Sequence, residues 1–160
     1  MYNDKIAIEK FAEFTKEYKI KSVFETGTWF GAGTLWFLEY VDEIYTVEID
    51  HRFYMEAQFR WKEQGWKEIY KDKSSDIVYM IFEKDGKKIH HFFGDCVDVL
   101  DDVLTKQKEL VQRPCLFYLD AHWDWRQPQL LIYWPILKEL QMLATLRGNV
   151  EDPSSSILIA

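Results

Sequence analysis

The segment that most constrains this chain is residues 23–34, reading Val-Phe-Glu-Thr-Gly-Thr-Trp-Phe-Gly-Ala-Gly-Thr. An apolar run of strand character breaks into glycines at 27, 31 and 33, and a helix-like stretch follows. A second strand, residues 44–49, carries Glu48 near its end. Strand, glycine turn, helix, strand and terminal acid is how an α/β sheet holds a nucleoside-bearing cofactor. Glycines let the backbone approach a ligand, a helix N-terminus offers N–H groups, and a carboxylate accepts from ribose hydroxyls. A dinucleotide fingerprint wants G-x-G-x-x-G. Here the glycines fall as G-x-x-x-G-x-G behind Glu25, a spacing that disfavours NAD.

The rest of the chain extends this unit into a sheet. Asn3 or Asp4 can cap a first helix with Ile8, Phe11, Phe14 or Thr15, and Tyr18 at helical spacing. The helix after Gly33 carries Leu35, Trp36, Phe37, Leu38, Tyr40 and Val41, so burial on more than one face is expected. Asp50 can cap a third helix that runs out near Gly65. Residues 66–88 are the least regular part. Strand formers dominate 76–82 and Asp85-Gly86 is a hairpin turn, which favours a hairpin over a short helix capped by Ser75. Either would be an insertion ahead of a third core strand at 89–93, where His90 and His91 alternate faces and at most one is expected to point inward. His51 reads as the start of a helix.

After Asp95 a helix places Val97, Leu100 and Leu104 on one line. A fourth strand at 115–119 is uniformly apolar, as a buried parallel strand should be. Pro135 starts a further helix, with Ile136, Leu137, Leu140 and Leu143 expected to face inward, and 157–160 read as a fifth strand. The alternation predicts one α/β domain over residues 1–160, a doubly wound parallel sheet of about five strands with helices on both faces. Such sheets bind ligands outside the carboxyl ends of their strands. Glu25, Gly27, Glu48, Asp95, Asp120 and His122 all fall at such ends.

A formal charge of −7 argues against a nucleic-acid surface, which would be basic. Cys96 and Cys115 lack C-x-x-C or metal-ligand spacing and read as free thiols of a reducing compartment. No apolar run approaches the ~18 residues that cross a bilayer. The expectation is a cytoplasmic domain without a membrane partner.

The stretch from Glu25 to Gly33 resembles the first motif, E/D-x-G-x-x-x-G-x-G, of the class I S-adenosylmethionine-dependent methyltransferases, a Rossmann-like fold family. Residues 46–50, 93–96 and 119–123 extend the likeness over roughly residues 21–160. The resemblance implies that Glu25, Gly27, Thr28 and Gly31 surround the methionine end of the cofactor. Gly33 and Thr34 would begin the helix beside it, and Glu48 would bind both ribose hydroxyls. Asp95 would accept from the adenine amino group, with Cys96 near the ring as a small wall residue, and Asp120 would lie beneath the sulfonium. Asp95 also reads as a plain helix cap.

Residues 117–123, Phe-Tyr-Leu-Asp-Ala-His-Trp, look similar to a stretch of metal-dependent catechol-type O-methyltransferases, where the strand-end aspartate binds Mg²⁺. The chain departs from that pattern through Ala121 and through the lack of acids after the fifth strand, so no metal site is assigned. His122 can serve as general base for an acceptor hydroxyl or line the cofactor pocket. The reading is methyl transfer to an oxygen of a small molecule, with a non-catalytic S-adenosylmethionine-binding or interaction module as the rival. Methyltransferases of this fold normally add an antiparallel edge hairpin after the fifth strand. Its lack here implies a C-terminally incomplete domain whose open edge would favour a homo-oligomer.

Overall fold

The computed structural model describes residues 5–72, 78–106, 114–120, 135–148 and 157–159. In chain order these form α1 (Lys5–Glu17), β1 (Ser22–Thr26), α2 (Ala32–Phe37), β2 (Glu43–Glu48) and α3 (His51–Glu63). Then come β3 (Lys67–Asp72), β4 (Val78–Lys84), β5 (Lys87–Phe93), α4 (Cys96–Lys106), β6 (Cys115–Leu119), α5 (Pro135–Gly148) and β7 (Ile157–Ile159). The seven strands make one sheet in the order β3-β4-β5-β2-β1-β6-β7.

The five expected strands, β1, β2, β5, β6 and β7, are parallel neighbours. The chain moves outward from β1 through β2 to β5, then returns to β6 on the other side of β1. The strand order therefore reverses between β1 and β6, and in open α/β sheets ligands bind outside the carboxyl ends at such a reversal. The helices divide as a doubly wound sheet requires. Phe11 and Phe14 of α1, Phe37 of α2, and Tyr54, Ala57 and Trp61 of α3 pack with Val23 and Ile44 on one face. Val99, Leu100 and Val103 of α4 and Leu143 of α5 pack with Phe24, Tyr45 and Phe117 on the other.

The irregular region is a hairpin, and it is larger than expected. β4 pairs antiparallel with β5 through the Asp85-Gly86 turn, whose φ values of 53° and 80° suit the primed turns that match strand twist. β3 adds an antiparallel edge strand that sequence reading does not anticipate. Its sequence, Lys-Glu-Ile-Tyr-Lys-Asp, lacks an apolar alternation because it is an exposed edge, and its charges suit an edge that should not recruit another strand. The sheet thus carries its antiparallel pair beyond β5.

Three further expectations are corrected. The helix after the glycine loop is only six residues long, with turns continuing to Tyr40. Both His90 and His91 are buried, because both faces of β5 are covered. His91 stacks on Tyr54 and meets Trp61 edge-on, whereas His90 stacks on Tyr45 and bonds Glu43 at 2.7 Å. Among the described side chains of α5 the buried ones are Glu139 and Leu143, while Ile136 and Leu137 are exposed. Leu137 lies two residues from Glu139, about 200° around the helix, so both cannot face the sheet. No helix among the described residues is long and apolar enough to cross a membrane.

Candidate functional site

The sequence-predicted residues converge on four adjacent strand ends: Asp95 after β5, Glu48 closing β2, Gly27 after β1 and Asp120 after β6. Neighbouring strands lie about 4.8 Å apart, so the three gaps span roughly 14 Å. His122 lies outside the described residues, as do Ala121, Trp123, Asp124 and Arg126.

Glu25, Thr28 and Thr34 are brought together, but beneath the loop and facing inward. All three are buried. Glu25 Oε2 accepts from the hydroxyls of Thr34 and Thr46, each at 2.7 Å. Thr46 thereby commits its one proton, so the 2.6 Å contact between Thr28 and Thr46 has Thr28 as donor. The relay ties the loop to β1 and β2. Burial pushes the Glu25 carboxyl up to about 7; the two hydroxyls oppose this and the nearby Asp120 and Glu48 add to it.

Gly31 is needed for packing. Its φ is +72°, and a Cβ there would stand 2.5 Å from the indole nitrogen of buried Trp61. That indole N–H donates to the Gly31 carbonyl at 3.1 Å. Gly33 and Thr34 lie buried in the first turn of α2. Gly27, with φ 91°, is half-buried, and its N–H donates to the Val47 carbonyl at 3.0 Å, as does the N–H of Thr28 at 3.1 Å.

Glu48 is 8% exposed and is held from both sides. Oε1 accepts the Asp50 N–H and Oε2 the Trp29 N–H, both at 2.8 Å. Burial raises its pKa, and these N–H groups pull it back. Trp29 adopts φ 49°, a left-handed backbone that costs a non-glycine residue roughly 1 kcal/mol. The bond to Glu48 helps to hold that conformation, and the Trp29 side chain is left 57% exposed beside Phe30 and Phe53. Ile49, next to the acid, is 65% exposed.

Asp95 caps α4, its Oδ1 accepting the Val97 N–H at 2.8 Å. Cys96 is buried, with its thiol raised by burial and by the adjacent Glu139 carboxyl. Asp120 is exposed, and its N–H is shared between the carbonyl and hydroxyl of Thr26, at 3.2 and 3.1 Å. Tyr118 donates to Asp120 Oδ2 at 3.4 Å. Among the described residues no group of three His, Cys, Asp or Glu side chains is placed to hold a metal ion.

A structure from Staphylococcus aureus, assigned as a caffeoyl-CoA O-methyltransferase, superposes with a TM-score of 0.51 at 14% identity. The match covers 83% of this chain and 53% of that one. The fold is that of the class I methyltransferases. The S-adenosylhomocysteine-bound methyltransferase PaMTH1 of Podospora anserina aligns at 17% identity and a TM-score of 0.47, over 74% of this chain and 42% of its own. The chain thus spans about half the length of the structures it resembles. No protein-family model matches the sequence, and no curated protein does.

Sequence reading misses four residues that shape this region: Trp29, Thr46, Trp61 and Glu139. Thr46 leaves a trace as the polar residue inside the apolar strand 44–49. Trp61 and the Trp29 N–H leave none, since one acts across 30 residues and the other through backbone. Glu139 is disguised by the Lys-Glu pair at 138–139, which reads as a solvated helix face.

Proposed function

We propose that this chain binds S-adenosylmethionine and transfers its methyl group to an oxygen of a small molecule. The observation that carries the reading is the gathering of the glycine loop, Glu48, Asp95 and Asp120 at four adjacent strand ends around the reversal in strand order. The residues suit such a cofactor. Each oxygen of Glu48 accepts one backbone N–H and retains a second lone pair for a ribose hydroxyl. Ile49 offers an exposed apolar surface beside it for a flat ring, and Asp95 stands at the next strand end as acceptor for an exocyclic amino group. When bound, the cofactor supplies an electrophilic methyl on a sulfonium that departs as a neutral thioether.

The chain's own part is then binding and alignment, which suffice when the leaving group is already good. Glu25, Thr28, Thr34 and Gly31 shape the loop from beneath, and Gly27 presents its backbone. Asp120, exposed at the end of β6, is the carboxylate placed nearest to where a cationic centre or an acceptor hydroxyl would lie. His122 is the candidate base for an acceptor hydroxyl, and Asp120 is the residue that would hold Mg²⁺ if the reaction uses it.

Calorimetric titration with S-adenosylmethionine, S-adenosylhomocysteine and NAD tests the reading. Both S-adenosyl ligands are expected to bind and NAD is not. Glu48→Ala removes charge-assisted hydrogen bonds worth about 1.5–3 kcal/mol each, so affinity should fall at least tenfold. A folded sample that binds neither S-adenosyl ligand refutes the proposal. Binding without turnover over a panel of hydroxylated acceptors would mark a non-catalytic module. Activity lost in EDTA and restored by Mg²⁺ would establish the metal.

A further inference from the structure

Trp29 combines a strained backbone with an exposed aromatic side chain. Its φ of 49° lies in the left-handed region, and its indole is 57% exposed. Strain of this kind in a non-glycine residue points to a function at that position. Two contacts fix where the indole stands. The Trp29 N–H donates to Glu48 Oε2 at 2.8 Å, and the ring meets Phe53 edge-on with centroids 6.2 Å apart. Phe53 belongs to the first turn of α3, just beyond Asp50, whose N–H holds the other oxygen of Glu48. The indole and the carboxylate thus share one junction, where the glycine loop meets the β2–α3 turn.

The same junction already gathers cations on aromatic faces. Phe30, 5.0 Å from Trp29, carries the Arg60 guanidinium at 4.6 Å, and the Arg52 guanidinium lies 5.7 Å from the Phe53 ring. Among the described residues no cation covers the indole, which is the strongest π face of the three. We propose that the Trp29 indole takes the positive charge of an onium ligand among the strand-end carboxylates. In the cofactor reading that charge is the sulfonium of S-adenosylmethionine. The sulfur joins the ribose through its exocyclic carbon, at the end of the sugar away from the base. A ribose held on Glu48 with its base over Ile49 therefore turns the sulfur toward the glycine loop and Trp29. The choice of that cofactor rests on the proposed function; the onium site itself does not.

The test uses the full chain as wild type, Trp29→Leu and Trp29→Phe. Calorimetry compares S-adenosylmethionine with S-adenosylhomocysteine, which carries the same ammonium and carboxylate but a neutral sulfur. Trp29→Leu keeps an apolar side chain and loses the π face. Affinity for S-adenosylmethionine should then fall roughly three- to tenfold, while that for S-adenosylhomocysteine holds within about twofold. Trp29→Phe keeps a weaker face and should fall between. An NMR titration of wild type with trimethylsulfonium chloride probes the site without a nucleoside, the Trp29 indole signal being assigned by its loss in Trp29→Phe. That signal should shift with trimethylsulfonium and stay in place with neutral dimethyl sulfide.

Equal loss of both S-adenosyl ligands in Trp29→Leu overturns the proposal, since the indole would then be an uncharged packing wall. Loss of neither overturns it too, and leaves the cofactor reading intact. A Trp29 signal that ignores trimethylsulfonium, or moves as much with dimethyl sulfide, overturns it whether or not the variants fold. If trimethylsulfonium moves the signal but wild type binds neither S-adenosyl ligand, the cofactor reading fails while the onium site stands.

Discussion

Glu25 makes the stability of this domain depend on pH in a direction opposite to the usual carboxylate. Enclosed beneath the glycine loop, its carboxyl is pushed up to about 7, against an ordinary 4.5. Below pH 4.5 the acid is protonated in both folded and unfolded chains, and its contribution is fully present. As pH rises, the unfolded chain releases its proton while the folded chain keeps it, so unfolding gains. The loss is complete once pH passes the folded value. The interval is about 2.5 pH units at ~1.36 kcal/mol each, or roughly 3 kcal/mol. That is a large share of the 5–15 kcal/mol typical of a domain.

The assay is urea unfolding at intervals from pH 5 to 8.5, for wild type and Glu25→Gln. Glutamine keeps a carbonyl to accept from Thr34 and Thr46 but cannot ionise. If glutamine is otherwise neutral, the variant should exceed wild type by less than about 1 kcal/mol at pH 5 and by roughly 3 kcal/mol at pH 8. Glu48 and Glu139 are also raised and tilt both profiles in the same direction, so the difference between them isolates Glu25. Parallel profiles across the whole range would show that the Glu25 carboxyl ionises like a solvated one, and the reasoning would be wrong.

Gly31→Ala combines a left-handed backbone with a Cβ inside the Trp61 indole, and should cost roughly 2–4 kcal/mol by urea unfolding. Intact stability would mean that Trp61 can move aside. His91 is depressed by burial to about 3 from an ordinary 6.5. Stability is therefore intact above pH 6.5 and lost as pH falls toward 3, by as much as about 5 kcal/mol, and His91→Leu should flatten that acid limb in a circular-dichroism titration. Thr46→Val breaks the relay between Thr28 and Glu25, and should weaken S-adenosylhomocysteine binding several-fold by calorimetry. An unchanged affinity would show that the relay does not shape the binding surface.

The fold was legible wherever one physical signal dominated. Uniformly apolar strands such as 115–119 announce burial on both faces, and the glycine loop announces a turn at a strand end. The hairpin at Asp85-Gly86 could be read because a tight turn has few permitted residues. β3 could not, because a solvated edge strand loses the alternation that marks a strand. The α5 register failed for a related reason. Leu143 is buried as its hydrophobicity suggests, but Ile136 and Leu137 are apolar and exposed while charged Glu139 is buried, so hydrophobicity misplaced the first turn. Strand-end acids were found because topology alone puts them there. How Glu25 and Glu48 are used depends on hydrogen bonds to Thr46 and to a backbone N–H, neither of which has a spacing signature.

Alternation along β1 explains how so many acids can share one region. Glu25 and Thr26 are successive residues, so their side chains leave the strand on opposite faces. Glu25 enters the α2–α3 side, where threonine hydroxyls meet it, and Thr26 enters the α4–α5 side, where Glu139 meets Thr26. Both buried acids are held above the ordinary carboxylate range. An acid whose pKa is raised by burial carries less charge near neutral pH than a solvated one, and so repels the outer carboxylates less. The outer layer, Glu48, Asp95 and Asp120, can then present negative potential at the strand ends without destabilising its own support. A cation arriving at these strand ends would find carboxylates at the surface and acids of raised pKa behind them.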